Sequence, residues 1–348
     1  MKLNIKFIIE NSDELWNKMR WENSTPTCKC GCTDLYRTGD GRFKCKECGY
    51  VFSETANTIL QNSKLEKWKW LVAMFTLCTN KSISVRELSS TIGVSVKTAW
   101  NMQHKLRMYM HTEDIDLSGV VCMDEAHIGG WSGMHLNKKM EYMRKNNYLD
   151  IEDKYYHKRA IYAASSEKKH HIISIINNKN QCVIKHIKGQ ITKSIIRQIV
   201  RQYGITHIIS DESRIYQDIK GVTVEQSNHS KHIFMTEGGH TSNPCENRFS
   251  WVKRIINGYH TRTSEKYLQL YLNQISFKIN NKDLSVEDRF IKLGNICCKK
   301  YISNTDVFNF DYTNGFDYPK KKDNQEMINT LLNCGLVSSV EIKCKRYK

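Results

Sequence analysis

The chain has 348 residues, of which 53 are Lys or Arg and 36 are Asp or Glu, so its formal net charge is +17. This length predicts two or three domains, and the basic surplus, spread along the whole chain, favours a polyanionic partner such as nucleic acid over a merely soluble basic protein. No stretch approaches the roughly 18 consecutive apolar residues of a membrane span, and the N-terminus lacks the apolar region of a signal peptide, so we expect an intracellular protein without a membrane partner.

Residues 1–25 are polar, carry no recognisable motif and are interpreted as a short lead-in. Residues 26–58 hold five of the 13 cysteines, which in a large intracellular chain indicate metal ligation more than disulfides. Cys45 and Cys48 have the two-residue gap of a zinc knuckle, and Gly49 after them lets backbone amides turn towards the sulfurs. This segment is therefore predicted to be a zinc ribbon.

The first knuckle of this ribbon is irregular, because Cys28, Cys30 and Cys32 stand where a regular motif carries two cysteines. We favour Cys28 with Cys30, since Gly31 follows Cys30, and keep Cys32 as an alternative ligand. About 30 residues with little else to bury need a metal cross-link to fold, whereas the alternative is burial of the thiols as small apolar side chains. The expected ligands of a structural Zn²⁺ are Cys28, Cys30, Cys45 and Cys48.

Residues 63–112 show helical periodicity and are predicted to be a helix-turn-helix DNA-binding domain. Gly93 supplies a tight turn between two short apolar stripes. In such a motif the polar N-terminal face of the second helix enters the major groove, although a plain helical hairpin with a solvated face has the same spacing. The basic chain and the adjacent ribbon favour DNA. The residues expected to contact it are Lys97, Thr98, Asn101 and Lys105.

Two apolar runs in residues 117–282 predict strands that end in acids. SGVVCMDEAHI reaches Asp124 and Glu125, and THIISDES reaches Asp211. In an α/β sheet such strands can bring their carboxylates to one edge, as a divalent-metal site requires. Because adjacent strand residues point to opposite faces, we expect one of the first two acids to reach the metal and prefer Asp124. A lysine-rich insertion, suited to phosphate contacts, and a strand-like run at 159–167 lie between these strands.

A third acid is expected from the segment TSNPCENRFSWVKRIINGYH, which reads as a helix with Asn243 as its N-cap. Glu246 and Lys253 lie seven residues apart and so fall on one face. Each acid alone has a simpler interpretation, as a turn residue for the aspartates and as part of a capping box for Glu246. Together, two strand-end aspartates and a helical glutamate favour two-metal phosphoryl transfer.

The order of these elements resembles a known family over roughly residues 26–282. The motifs CMDEAHIGG, IISDES, NPCENRFSWVKR and GYH look like those of the DDE transposases of the Merlin superfamily and the related bacterial insertion sequences. The resemblance implies an α/β, RNase H-like catalytic domain, a mixed sheet with flanking helices, behind the ribbon and the helix-turn-helix. Its acidic triad and trailing lysine would fall on Asp124, Asp211, Glu246 and Lys253. The 34 residues between the second and third acids fit the family pattern, whereas Thr27 departs from it by standing where the first knuckle would have a cysteine.

The resemblance implies a DNA transposase that binds the double-stranded ends of its mobile element, cleaves them and joins the 3′ ends to target DNA. Asp124, Asp211 and Glu246 would hold two Mg²⁺ or Mn²⁺ ions about 4 Å apart, with Lys253 steadying a phosphate. We expect a homo-oligomer when two ends are synapsed, in the bacterial cytoplasm (nucleoid) or a eukaryotic nucleus. The alternatives are a catalytically inactive, transposase-derived DNA-binding protein and a structure-selective nuclease. Residues 283–348 are interpreted as a basic tail without assigned chemistry.

Overall fold

The computed structural model of the protein describes residues 3–21, 25–111, 115–128, 170–227, 243–260 and 263–313. The lysine-rich insertion, the strand-like run at 159–167 and residues 314–348 of the expected tail lie outside this part of the chain. Across the described residues, the helices are too short or too polar for any of them to cross a membrane.

A small antiparallel sheet follows the first two helices in sequence. Its three strands, in the order β1-β2-β3, are Leu35–Arg37, Phe43–Cys45 and Val51–Phe52. The rings of Phe43 and Phe52 pack against Trp21, with centroids 6.5 and 6.2 Å away. Cys28, Cys32 and Cys45 complete this buried cluster. Six buried side chains make a very small core, so the sheet depends on whatever else cross-links it.

A helical layer is built from both ends of the described chain. Its N-terminal members are α1 (Ile5–Glu10), α2 (Ser12–Arg20), α3 (Lys67–Cys78), α4 (Val85–Ile92) and α5 (Val96–Tyr109). Local caps fix α4 and α5: the Ser84 and Ser95 side chains accept hydrogen bonds from the amides of Glu87 and Thr98, and Gly93, at φ 62°, ends α4. The pair thus has the short helix–turn–helix connection that its glycine predicts.

Two segments outside the predicted domains contribute to the same core. Residues 3–21, interpreted as a lead-in, form α1 and α2 and bury Ile8 and Trp16 completely. Part of the predicted tail, residues 283–313, forms two helices, Val286–Cys297 and Asn304–Phe308, which we call α9 and α10. Phe290 is fully buried in the shared cluster. The interpretation of residues 283–313 as a tail is therefore wrong, because their apolar residues close the helical core.

Among the residues that the structure describes, five strands form a mixed sheet, the second layer, in the order β6-β5-β4-β7-β8. The strands are β4 (Gly119–Ile128), β5 (His170–Asn177), β6 (Cys182–Ile187), β7 (Ile205–Asp211) and β8 (Thr223–Ser227). The first three pair antiparallel, whereas β7 runs parallel to both β4 and β8. Strands β5 and β7, on either side of β4, are rich in buried isoleucine, as expected for strands inside a sheet.

Three helices flank this sheet: α6 (Lys193–Tyr203), α7 (Asn243–Tyr259) and α8 (Glu265–Asn280). Helix α6 connects β6 to β7 and is capped by Thr192 and Gly204. Helices α7 and α8 bury apolar residues such as Phe249 and Leu272 against β4, β5 and β6. The predicted α/β class, a mixed sheet with flanking helices, is confirmed.

A buried arginine joins the helical layer to α8. Arg107 of α5 is fully buried, and its guanidinium donates to the side-chain oxygens of Gln274 at 2.9 Å and Gln103 at 3.0 Å. It also lies 3.9 Å from the ring centroid of Tyr271, and burial lowers its pKa to about 10. These contacts replace the water that a buried guanidinium loses, so they fix α5 against the helix that covers the sheet.

Candidate active site and cysteine cluster

Two neighbouring parallel strands bring the predicted aspartates together. Cys122 of β4 pairs with Ile209 of β7, and two residues further along each strand come Asp124 and Asp211. Oxygens of Asp124, Glu125 and Asp211 all lie within 4.8 Å of one another, and we call these three residues the carboxylate cluster. The register of β4 and β7 therefore brings together carboxylates from distant parts of the chain, one within β4 and one at the end of β7.

The electrostatics of this cluster are unfavourable without a cation. Asp124 is 9% exposed, and its burial, followed by repulsion from Asp211 and Glu125, raises its pKa to about 7. Burial also raises the pKa of Glu125, against the hydrogen bonds that it accepts. Like charges held this close in a partly desolvated place favour protonation or a bound cation.

Glu246 lies outside this group of close oxygens but near it. It is exposed in the first turn of α7, and its charge contributes to the raised pKa of Asp124. Lys253, two turns further along α7, is also exposed. The structure therefore brings oxygens of Asp124 and Asp211 within 4.8 Å of each other and places Glu246 close enough for its charge to act on Asp124.

A pair of buried thiols fixes α7 against the strand that carries Asp124. The sulfurs of Cys122 and Cys245 are 3.2 Å apart, and both side chains are buried. Cys122 precedes Asp124 by two residues, and Cys245 is the residue before Glu246. This contact therefore helps to set how closely the helical acid approaches the carboxylate cluster.

The expected separation of Asp124 and Glu125 is not found, because an oxygen of Glu125 belongs to the cluster as well. The choice of Asp124 as the metal ligand of this pair stays a prediction. The Asp124 carboxylate folds back to accept the amide hydrogen of Glu125 at 2.8 Å, which brings it towards the strand axis. The longer Glu125 side chain accepts hydrogen bonds from the hydroxyls of Ser213, at 2.9 Å, and Tyr216, at 2.7 Å. Opposite starting directions along a strand thus do not keep the two carboxylates apart.

Sequence reasoning missed Ser213 and Tyr216. Both follow β7 directly, in the turn and 3₁₀ helix after Asp211, and Tyr216 is fully buried. Their signal was weak, because a serine and a tyrosine just after a strand are common in turns. Their contact with Glu125 depends on long-range packing that no local pattern contains.

The four predicted zinc-binding cysteines converge on the small sheet. The sulfurs of Cys28, Cys30, Cys45 and Cys48, which we call the cysteine cluster, lie within 4.8 Å of one another. Cys32 stays outside this group, with its sulfur accepting the amide hydrogen of Asp34 at 3.3 Å. Hydrogen bonds from the backbone amides of Cys48 and Glu47 lower the pKa of Cys45 to about 6. Four close sulfurs, one of them readily ionised, fit a tetrahedral Zn²⁺.

The predicted DNA-contacting residues of α5 are only partly accessible. Lys97 is exposed, and Thr98 is half-buried with its hydroxyl 2.8 Å from that of Ser95. Asn101 donates to the Asn304 side chain of α10 at 2.7 Å. Lys105 is wrongly predicted to be on the groove-facing surface: it is 6% exposed, with its ammonium 5.9 Å from the Trp70 ring centroid. The reason is that residues 283–313, taken for a tail, cover the second half of α5.

The fold and the site define a class of protein. It has an α/β domain in which two adjacent parallel strands bring carboxylates together, preceded by a cysteine-bearing ribbon and a pair of helices. Residues 116–280 match the ISXO2-like transposase domain, a range that includes Asp124, Asp211, Glu246 and Lys253. This match confirms, for residues 116–280, the resemblance to insertion-sequence transposases that the motifs predict.

A curated relative comes from a mobile element. It is described as an uncharacterized protein in transposable element ISH50 of Halobacterium salinarum, and it is 26% identical to this chain over 115 residues. The similarity covers 32% of this chain and 39% of the relative. The chain thus spans about two-fifths of the length of the curated relative that it matches.

Proposed function

We propose that the protein is a DNA transposase, which cleaves the ends of its mobile element and joins the 3′ ends to target DNA. The observation that carries this proposal is the convergence of Asp124, within β4, and Asp211, at the end of the adjacent parallel strand β7, in a domain that matches transposases. The mixed sheet with its flanking helices supports an RNase H-like catalytic domain over residues 117–282.

The residues present fit a site for Mg²⁺ or Mn²⁺. Hard divalent cations prefer carboxylate oxygens, and a buried group of like charges is stabilised by such a cation. Asp124, Asp211 and the nearby Glu246 would hold two ions, which supply Lewis-acid stabilisation of the attacking and leaving oxygens. The exposed ammonium of Lys253, on the same helix as Glu246, would position a DNA phosphate as a point charge.

The DNA-binding surface proposed for α5 contains fewer residues than the sequence predicts. Lys97, at the exposed first turn, is the best-placed phosphate or base contact, and Thr98 lies beside it. Replacing Lys97 with Ala is expected to weaken DNA binding and to lower the slope of log affinity against log salt by about one. Lys64→Ala, which removes an exposed lysine before α3, is the matched control.

The proposed partners follow from this activity. Double-stranded element ends and target DNA bind the protein, the cysteine cluster holds a structural Zn²⁺, and a homo-oligomer synapses two ends. No membrane partner is proposed. The site of action is where the DNA is, the bacterial nucleoid or a eukaryotic nucleus.

The deciding experiment is strand transfer in vitro. Purified protein is given duplex DNA from the element's ends, a plasmid target and Mg²⁺ or Mn²⁺, with the Glu246→Gln and Asp124→Asn variants in parallel. Joined products from the wild type and none from the variants would support the proposal. Cleavage without joining would indicate a nuclease, and binding without cleavage by any of the proteins would indicate a DNA-binding descendant of a transposase.

A further inference from the structure

Two hydroxyl groups hold Glu125 in a defined orientation. One carboxylate oxygen accepts from the hydroxyl of Ser213 at 2.9 Å and the other from that of Tyr216 at 2.7 Å. Tyr216 is fully buried, so its hydroxyl has little freedom to turn to another partner. A half-buried glutamate whose two oxygens are both oriented by neutral donors is fixed in place, but its negative charge is not balanced by them.

The same turn orients Asp211. The amide of Ser213 donates to the Asp211 carboxylate at 3.2 Å, while its hydroxyl binds Glu125. The side-chain amide of Gln226 on β8 donates to the backbone carbonyls of Asp211, at 2.7 Å, and Ser213, at 3.0 Å. One turn, clamped by the neighbouring strand, therefore sets the relative positions of two carboxylates on different strands.

The cluster lacks a protein counter-charge in the part of the chain that the structure describes. Among these residues, no lysine or arginine forms an ion pair with Asp124, Glu125 or Asp211. The oriented hydrogen bonds supply part of the stabilisation, but each donor is neutral. A cation between the three carboxylates would supply the rest.

We propose that Glu125 is a third ligand of a divalent cation bound at Asp124 and Asp211, and that Tyr216 and Ser213 act as positioning residues for it. This inference rests on the proposed function. It follows that the first cation is bound by β4 and β7 alone, whereas the exposed Glu246 of α7 serves mainly a second cation. Ligands fixed by such outer partners bind a metal more tightly than mobile ones.

The test is a titration of the full chain with Mn²⁺ in the absence of DNA. The electron paramagnetic resonance signal of free Mn²⁺ measures how much of the ion is bound. Glu125→Gln keeps the shape of the side chain and is expected to weaken the tighter site at least about 10-fold, and Tyr216→Phe by up to about 10-fold. Glu212→Gln, which removes one charge from an exposed neighbour of Asp211, is the matched control and should bind like the wild type. Glu246→Gln should leave the tighter site within about twofold of the wild type.

The outcomes separate this inference from the proposed function. If Asp124→Asn loses the tighter site but Glu125→Gln and Tyr216→Phe bind Mn²⁺ like the control, the role of Glu125 is wrong and the metal site stands. If the wild type binds no Mn²⁺, both ideas fail. Far-ultraviolet circular dichroism shows whether each variant is folded. Should Glu125→Gln unfold, Tyr216→Phe, which leaves the charge of Glu125 in place, decides the question.

Discussion

The cysteine cluster and the carboxylate cluster are both groups of metal-ligand atoms, but the chain builds them in different ways. The four cysteines fall between positions 28 and 48, on a three-stranded sheet with a six-residue core. Asp124 and Asp211 are 87 positions apart and meet because β4 and β7 are neighbours in a five-stranded sheet. The first cluster makes up much of the fold around it, whereas the second lies at the edge of a sheet with its own core.

This difference predicts different roles for the metals proposed at the two clusters. Where the core is too small, metal binding is folding free energy, and removing the metal unfolds the segment. Where the sheet is folded independently, converging carboxylates cost stability, and a cation lowers that cost. The two regions should therefore respond in opposite ways to loss of their ligands.

The largest expected effect is loss of the ribbon without zinc. Cys45→Ser should abolish zinc binding and unfold residues 25–58, because structural zinc supplies on the order of 10 kcal/mol to such a segment. Hydrogen exchange followed by mass spectrometry should show lost protection in the small sheet and retained protection in β4 to β8. Unchanged protection of β1 to β3 in a zinc-free variant would contradict this view of the ribbon.

Replacing a residue of the carboxylate cluster should have the opposite effect to replacing a zinc ligand. Neutralising one carboxylate is expected to increase the stability of the metal-free protein. The folded-state pKa of Asp124 is raised from 3.8 to about 7, so the fold binds its proton more tightly than the unfolded chain does. The protonated Asp124 carboxyl therefore stabilises the fold fully below about pH 4, and this stabilisation is lost as the pH rises through about 7. The free energy of unfolding falls over that range by on the order of 4 kcal/mol. In metal-free buffer, Asp124→Asn should therefore lose less stability than the wild type between pH 5 and 8.

Urea unfolding of both proteins at each pH measures that difference, because every other titrating group is shared. Adding Mg²⁺ at pH 8 should restore stability to the wild type and do little for the variant. Parallel pH profiles for the two proteins would show that Asp124 is not held in a repulsive site.

The sequence predicted the two clusters with unequal success, for a physical reason. The cysteine ligands are close in sequence, so their spacing and Gly31 suffice to choose Cys28 and Cys30, which the structure brings together with Cys45 and Cys48. The two aspartates also follow from local apolar runs, once two such strands are assumed to be neighbours. The prediction that the first strand ends at its acid pair is wrong, because β4 continues to Ile128.

Long-range packing accounts for what the sequence left out. The role of Tyr216 beside Glu125 requires the turn after β7 to lie against β4, and the burial of Lys105 requires residues 283–313 to fold back on α5. No periodicity within either segment encodes these contacts. The interpretation of residues 283–313 as a tail was wrong because these residues contain many lysines and asparagines, which outnumber the few apolar residues that pack into the helical core. These apolar residues include Phe290, Leu293 and Cys297.

Cysteines outside the ribbon should behave as packing residues. Cys122→Ala removes a buried thiol that contacts Cys245, so the free energy of unfolding should fall by about 1 kcal/mol while the zinc content stays unchanged. Zinc is measured by atomic emission and stability by urea unfolding at constant pH. A loss of zinc in this variant would show that the thiols of the two regions are not independent.

The smallest effect is expected at Cys32, and it tests the choice of ligands most sharply. Its sulfur accepts one backbone hydrogen bond, from Asp34, and lies outside the cysteine cluster. Cys32→Ser keeps a hydrogen-bond acceptor at that position, so zinc content should be unchanged and stability should alter by about 1 kcal/mol or less. Cys30→Ser, two residues away, should lose the metal. If the two variants exchanged these outcomes, Cys32 would be the ligand, and the first knuckle would have to rearrange around Gly31 when zinc binds.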